Sequence, residues 1–178
     1  GHKIYGPKGV GALYVKDDEQ LSPLLHGGYH ERSLRASTEN SSGIIAFAKA
    51  ASLIDVNAYQ AHTKTLRATL KEGFLRDIPD IVCHGHDEGL TNTLNVSFLG
   101  VEGVELAMNC DLKGIYVSTG SACSSGSSEL SHVIKACGFD DDVNKSSVRF
   151  SLGLTNTLEE IHHLLEYVNK IVKRMRQL

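Results

Sequence analysis

Hydrophobic residues recur every three or four positions from Ile44 to about Leu75, and this spacing places them on one face of a helix. The pattern is long enough for one helix or for two helices in series. A second pattern of this kind runs from residue 158 to the end of the chain. Thr157 and Glu160 stand at its start with the spacing of a capping box, which predicts that the last helix begins there.

Shorter patterns separate these long helices. Residues 102–114 and 131–138 each predict a short helix that ends at a glycine. Short hydrophobic or alternating stretches predict strands at residues 10–16, twice within 81–103, from residue 115 onward and from residue 146. Helices thus alternate with strands, some of which are joined as hairpins. This mixture indicates an α/β or α+β fold in which helices cover a sheet.

Composition narrows the class of protein. The 178 residues include 41% hydrophobic and 22% charged residues, as in an ordinary globular protein. The formal net charge of −3 argues against nucleic acid as a partner. No segment approaches the roughly 20 apolar residues that a membrane-spanning helix needs, so we expect no membrane partner. The four cysteines show no disulfide-like spacing, which favours a reducing, cytoplasmic location.

One cysteine differs from the others in its surroundings. Cys123 lies in "VSTGSACSSGSSE", residues 117–129, among small and polar residues rather than on an apolar face. An exposed thiol in such a loop can form the thiolate and act as a nucleophile. Cys110 and Cys137 lie in predicted helices beside apolar residues, and we expect them to pack as small hydrophobic side chains.

Other polar residues are candidates for binding negatively charged groups. Arg149 interrupts an apolar strand, where it either faces water or binds a carboxylate with its planar guanidinium group. Residues 35–38, "RAST", offer a hydroxyl and backbone N–H groups in a polar loop, which suits either helix capping or phosphate binding. Residues 83–87 contain Cys, two His and Asp, but their spacing is too tight for the usual structural zinc site. We therefore expect no metal site and keep zinc at 83–87 as a weak alternative.

Four segments together resemble a known family. They are "GHKIYGPKGVGALYV", "HGGYHERSLRASTEN", "STGSACSSGSSE" and "VRFSLG". Their order and spacing resemble the pyridoxal-phosphate-dependent cysteine desulfurases of the NifS/IscS type, which belong to the class-V aminotransferases. The resemblance implies the C-terminal part of a fold-type I transferase. In that reading residues 1–58 are the end of the large cofactor-binding domain with a connecting helix, and residues 59–178 are the small domain.

The same resemblance implies roles for five residues. Lys3 would form the Schiff base with pyridoxal 5′-phosphate, and His2 would lie beside it in the cofactor pocket. Thr38 would reach the cofactor phosphate across the interface of a homodimer. Arg149 would bind the α-carboxylate of L-cysteine, and Cys123 would accept its sulfur. The products would be L-alanine and a persulfide on Cys123, destined for an acceptor protein such as an iron–sulfur scaffold.

The resemblance also leaves alternatives open. Members of this family carry a large N-terminal domain before the Schiff-base lysine, so we expect the 178 residues alone to bind the cofactor weakly and to be inactive. A selenocysteine lyase would share these motifs. A cofactor-free persulfide carrier that uses Cys123 would explain the loop, although it would need neither Lys3 nor Arg149.

Overall fold

The computed structural model describes residues 1–16, 21–120 and 130–177, and the chain divides into two compact units, Gly1–Asp55 and Val56–Leu178. The division falls between two consecutive helices, α1 (Ser41–Leu53) and α2 (Val56–Asp77). The long hydrophobic pattern from Ile44 therefore forms two helices in series, one of the two arrangements that its length allows.

The first unit contains little regular structure besides α1. A short 3₁₀ turn, His2–Ile4, opens it, and a second one, His30–Ser33, lies in the polar segment before the helix. Asn40 caps α1 by accepting a hydrogen bond from the backbone N–H of Gly43. Among the described residues of this unit only Ala36 is a buried hydrophobic residue. Local hydrogen bonds and turns, rather than a hydrophobic core, therefore organise the unit.

The second unit contains a sheet with helices on both faces. Its elements after α2 are β1 (Ile81–His84), β2 (Thr93–Phe98), α3 (Gly103–Asp111), α4 (His132–Ala136), α5 (Asp141–Lys145), β3 (Ser147–Ser151) and α6 (Leu158–Met175). Within the described residues the three strands form one antiparallel sheet in the order β1-β2-β3. The predicted hairpin, both glycine-terminated helices and the capping box of Thr157 and Glu160 are confirmed.

One face of the sheet forms the hydrophobic core. Alternate residues of β2 and β3 point to this face and pack against α2 and α6 in a single cluster. Phe74 of α2 lies edge-on against Phe98, with ring centroids 5.3 Å apart. Arg176, just after α6, donates hydrogen bonds to the carbonyl oxygens of Leu99, Pro79 and Asp80. The core and this arginine hold the last helix to the sheet and its loops.

The other face of the sheet is polar. Ser97 of β2 is fully buried there, and its hydroxyl donates to the backbone carbonyl of Val143 in α5 at 2.6 Å. Phe139, which precedes α5, lies edge-on against His84 of β1 at 4.5 Å. The short segment of α4 and α5 therefore covers polar residues of the sheet rather than a second hydrophobic core.

Two predicted strands are wrong. No strand forms at residues 10–16, and the stretch that begins at residue 115 makes only a single bridge, Ser118 to Arg149, before the described residues end at 120. A strand exists only where a partner accepts its hydrogen bonds, and hydrophobic alternation alone does not supply one. Helix α5, which Asp140 caps, was not predicted, because its sequence "DDVNK" has no apolar periodicity.

Candidate functional site

Arg149 lies in the middle of β3, on the polar face of the sheet. The neighbouring residues Val148 and Phe150 are buried in the core, so alternation directs Arg149 to the opposite face. Its side chain is half-buried, and among the described residues it has neither an ion-pair partner nor a hydrogen-bond acceptor. The prediction that an arginine interrupts an apolar strand is confirmed, and its guanidinium remains available for an anionic group.

A row of polar residues crosses the sheet at this level. Asn95 of β2 pairs with Arg149 of β3, and His84 of β1 pairs with Asn95. Residues directly opposite each other in antiparallel strands share a face, with Cβ atoms about 4.5–5.5 Å apart. The row Arg149–Asn95–His84 therefore lies on one face of the sheet.

Two atoms of this row are buried without a hydrogen-bond partner, Oδ1 of Asn95 and Nδ1 of His84. The other ring nitrogen of His84, Nε2, lies 2.7 Å from the hydroxyl oxygen of Ser97. Burial lowers the pKa of His84 below its ordinary value of 6.5, so its imidazole is neutral at pH 7. Asn95 thus stands beside the candidate anion-binding arginine, and a neutral histidine lies on the other side of Asn95.

Cys123 lies outside the described residues, and hydrogen bonds hold the described chain on either side of its segment. On the N-terminal side, Ser118 and Arg149 exchange two backbone hydrogen bonds, of 3.1 and 2.6 Å. On the C-terminal side, the buried amide of Asn144 accepts from the Ser131 N–H at 3.0 Å and donates to the Ser131 carbonyl at 2.8 Å. Ser118 is therefore held by β3, and Ser131, the N-cap of α4, is held by α5.

Lys3 lies in the first unit, in the 3₁₀ turn His2–Ile4, and both His2 and Lys3 are exposed. The carbonyl of Gly1 accepts from the N–H groups of Ile4 and Gly6, which closes the turn. A Cβ on Gly1 would lie 3.2 Å from the ring of Phe47, and one on Gly6 would lie 3.5 Å from Ala50. The missing side chain at Gly1 thus lets the turn that carries Lys3 pack closely on α1, whereas the distance at Gly6 is an ordinary van der Waals contact.

Thr38 is also exposed and lies two residues before Asn40, the N-cap of α1. The preceding segment is held by Ala36, whose N–H donates to the Leu25 carbonyl. The N-terminus of a 13-residue helix attracts anions through its unpaired N–H groups and its dipole. Of the three residues that the resemblance links to the cofactor, Thr38 lies just before the N-terminus of α1, and His2 and Lys3 lie in the turn that faces Phe47 and Ala50 of that helix.

The weak alternative of a zinc site finds no support. Cys83 packs against the core, whereas His84 points to the opposite face and contacts Ser97, because successive strand residues alternate. Asp87 pairs with Lys71. Among residues 1–16, 21–120 and 130–177, no three His, Cys, Asp or Glu side chains are grouped so that they could hold a metal ion.

The other cysteines divide into buried and exposed. Cys110 is fully buried in the core as predicted, and burial raises the pKa of its thiol to about 11. The expectation that Cys137 packs in the same way is wrong, because it is exposed at the C-terminus of α4. Helix α4 has only five residues, and the side chain that it buries is Ile134.

Two residues of this site were missed from the sequence, Asn95 and Asn144, and His84 was considered there only as a ligand of the weak zinc alternative at 83–87. The alternation of β2, "TLNVSF", places Asn95 on the non-core face and was the available signal for it. Nothing in the polar stretch around Asn144 distinguishes a buried amide from an exposed one. Its partner, Ser131, lies 13 residues away along the chain.

Comparisons with known proteins agree on one family. The family model "Aminotransferase class-V" matches residues 1–164. The chain is 43% identical to "Cysteine desulfurase IscS" of Clostridium botulinum (strain Hall) over 99% of its own length and 46% of that protein. It is 44% identical to the protein of the same name from Methanosarcina thermophila, over 100% of this chain and 45% of the relative.

The similarity extends to the fold. A solved structure named "NIFS-LIKE PROTEIN" superimposes with a TM-score of 0.84 at 34% identity, covering 97% of this chain and 44% of that one. The chain therefore spans about half the length of the proteins that it matches. Within the described residues no helix is long and apolar enough to cross a membrane.

Proposed function

Since the chain belongs to the class-V aminotransferase family, whose enzymes use pyridoxal 5′-phosphate, we propose that it is part of a cysteine desulfurase. Its residues 1–58 then form the end of the large cofactor-binding domain, and residues 59–178 form the small domain. The observation that carries the proposal is the position of Arg149. Its guanidinium lies on the polar face of the sheet, and its backbone holds the start of the segment that contains Cys123.

The residues of the first unit fit the chemistry of the cofactor. The primary amine of Lys3 can condense with an aldehyde, and the imidazole of His2 stands next to it in sequence. The hydroxyl of Thr38, close to the N-terminus of α1, suits a phosphate. When bound, pyridoxal phosphate supplies an electron sink for the carbanion formed at the substrate Cα.

The remaining roles fall to residues of the second unit. Arg149 binds the α-carboxylate of L-cysteine through two parallel N–H···O hydrogen bonds. The thiolate of Cys123 attacks the substrate sulfur, so that an S–S bond forms and the substrate Cβ–S bond breaks. The electron pair of the broken bond remains with the carbon fragment, which takes up a proton and leaves as L-alanine. The sulfur stays on Cys123 as a persulfide.

Partners follow from this chemistry. A persulfide has to be passed on, which implies an acceptor protein, and the names of the relatives make an iron–sulfur scaffold the first candidate. As the family resemblance implies, Thr38 acts on the cofactor of a second subunit, so the proposal includes a homodimer. The cysteine spacing, which is not that of a disulfide framework, favours a cytoplasmic location.

Two substitutions in the full-length protein test the proposal. Lys3→Ala is expected to abolish both alanine formation and the absorbance band of bound cofactor, whereas Cys123→Ser is expected to keep the band and lose persulfide. Lys8→Ala and Cys137→Ser, both at exposed positions, are the matched controls. A Lys3→Ala protein that still loads Cys123 with sulfur would instead support a cofactor-free persulfide carrier.

A further inference from the structure

We infer that Asn95 is a positioning residue for Arg149, and that Ser97 and His84 hold Asn95 in the orientation that this requires. The inference rests on the proposed function, because it assigns Arg149 to the carboxylate of the substrate. It accounts for the two buried acceptors that have no partner, Asn95 Oδ1 and His84 Nδ1. It assigns to each of these two atoms a donor from the neighbouring residue of the row.

The first step concerns Ser97, which fixes the donor and the acceptor in its hydrogen bond with His84. A serine hydroxyl has a single hydrogen, and that of Ser97 is donated to the Val143 carbonyl at 2.6 Å. The Ser97 oxygen can therefore only accept from His84 Nε2, which lies 2.7 Å away. His84 consequently carries its hydrogen on Nε2. Its Nδ1 is left as a bare acceptor, since the ring is neutral.

The second step crosses from β1 to β2. His84 Nδ1 is buried and requires a donor, and the residue directly opposite is Asn95. The amide nitrogen of Asn95 is a donor, whereas its oxygen is an acceptor. When the amide nitrogen turns towards His84, Asn95 Oδ1 faces the other neighbour in the row.

That neighbour is Arg149, directly opposite Asn95 on β3. A guanidinium group offers five N–H donors and no acceptor, so it suits the unpartnered Asn95 Oδ1. Arg149 can give one N–H to Asn95 and still present a pair of parallel N–H groups to a carboxylate. Orienting the guanidinium before the substrate arrives reduces the rotamer entropy lost on binding. Asn95 thereby favours substrates that carry an α-carboxylate.

The test compares substitutions in the full-length, cofactor-loaded enzyme. Asn95→Ala is expected to raise KM for L-cysteine about tenfold with kcat within about twofold, since ground state and transition state lose the same contact. Thr93→Val, at the neighbouring outward position of β2 opposite Ser151, is the matched control and is expected to change neither. In an enzyme that already carries Arg149→Lys, Asn95→Ala is expected to raise KM for L-cysteine by less than about twofold, because the guanidinium that Asn95 positions is already gone.

Two ligands separate positioning from a merely structural role. L-Alanine carries the carboxylate, whereas cysteamine lacks it, and the absorbance of the bound cofactor reports the binding of either amine. Asn95→Ala is expected to weaken alanine binding about tenfold and to leave cysteamine binding within about twofold. Equal weakening of both ligands, or of neither, would overturn the inference.

Substitutions at His84 provide a second route that leaves Asn95 in place. His84→Ala removes the acceptor and is expected to raise KM about threefold, whereas His84→Asn supplies an oxygen at the position of Nδ1 and is expected to restore it. The same KM for both variants contradicts the inference. If the wild-type enzyme turns over no cysteine, the proposed function itself fails. If the wild-type enzyme does turn over cysteine, and Arg149→Lys raises KM whereas Asn95→Ala does not, the inference about Asn95 fails and the proposed function stands.

Discussion

Arg149 and Ser118 exchange both of their backbone hydrogen bonds, with the Arg149 N–H 2.6 Å from the Ser118 carbonyl and the Ser118 N–H 3.1 Å from the Arg149 carbonyl. Cys123 follows Ser118 by five residues, which span at most about 17 Å when extended. The main chain of Arg149 thus tethers the cysteine segment, while its side chain is free to bind a carboxylate.

Arg149→Lys separates these two functions. The backbone pairing with Ser118 is unaffected, but the paired N–H donors are lost, at a cost of about 1.5–3 kcal/mol for a charged hydrogen bond. We expect KM for L-cysteine to rise about 10- to 100-fold in steady-state assays of alanine formation, with little change in Tm.

Arg67→Lys is the matched control for this prediction. Arg67 donates to the carbonyls of Thr93 and His86, so its replacement is expected to lower Tm and to leave KM unchanged. An Arg149→Lys enzyme with wild-type KM would remove Arg149 from the substrate site.

Asn144→Ala tests the other end of the cysteine segment. The substitution leaves both the N–H and the carbonyl of the half-buried Ser131 without their partner. We expect the free energy of unfolding, measured in urea, to fall by about 2 kcal/mol. Asn109→Ala removes an exposed contact to the Glu105 carbonyl and is expected to cost less than about 0.5 kcal/mol. Equal effects of the two substitutions would show that the two hydrogen bonds between Asn144 and Ser131 do not stabilise the fold.

The half-buried imidazole of His84 makes stability depend on pH in a defined direction. Its pKa is lowered in the folded protein, so the unfolded chain binds the proton more readily. The titration of His84 therefore leaves stability unchanged above about pH 6.5, the ordinary pKa of histidine. It lowers stability as the pH drops through 6.5 towards the pKa of His84 in the folded protein.

Urea unfolding at pH 7.5 and pH 5.5 measures this contribution. The wild-type protein is expected to lose more stability between the two pH values than His84→Asn. Carboxylates with lowered pKa, such as Asp87 and Glu160, are common to both proteins and cancel in the comparison. Identical losses would show that His84 does not titrate differently on folding.

Alkylation distinguishes the structural cysteines. Iodoacetamide at pH 8 is expected to modify the exposed Cys137 readily and Cys110 only after denaturation. Burial excludes the reagent from Cys110 and raises the pKa of its thiol to about 11. Peptide mass spectrometry measures alkylation at both Cys137 and Cys110, and Cys137→Ser removes the site that is expected to react rapidly. Rapid labelling of Cys110 in the native protein would contradict its place in the core.

Local signals in the sequence determined the helices other than α5. The period of hydrophobic residues from Ile44, the capping box of Thr157 and Glu160 and the terminating Gly114 and Gly138 all act over a few residues, and each appears in the structure as predicted. The four motifs also determined the family, because they preserve an order and spacing along the whole chain.

Only the tertiary structure decided which strands form and which polar residues meet. Residues 10–16 have a strand-like sequence but no described partner, whereas Arg149, Asn95 and His84 come from three strands and align only through the register of the sheet. Asn144 is buried because Ser131 supplies partners for its amide. Hydrogen bonds between distant segments and the burial of polar groups depend on the whole fold, and no local pattern encodes them.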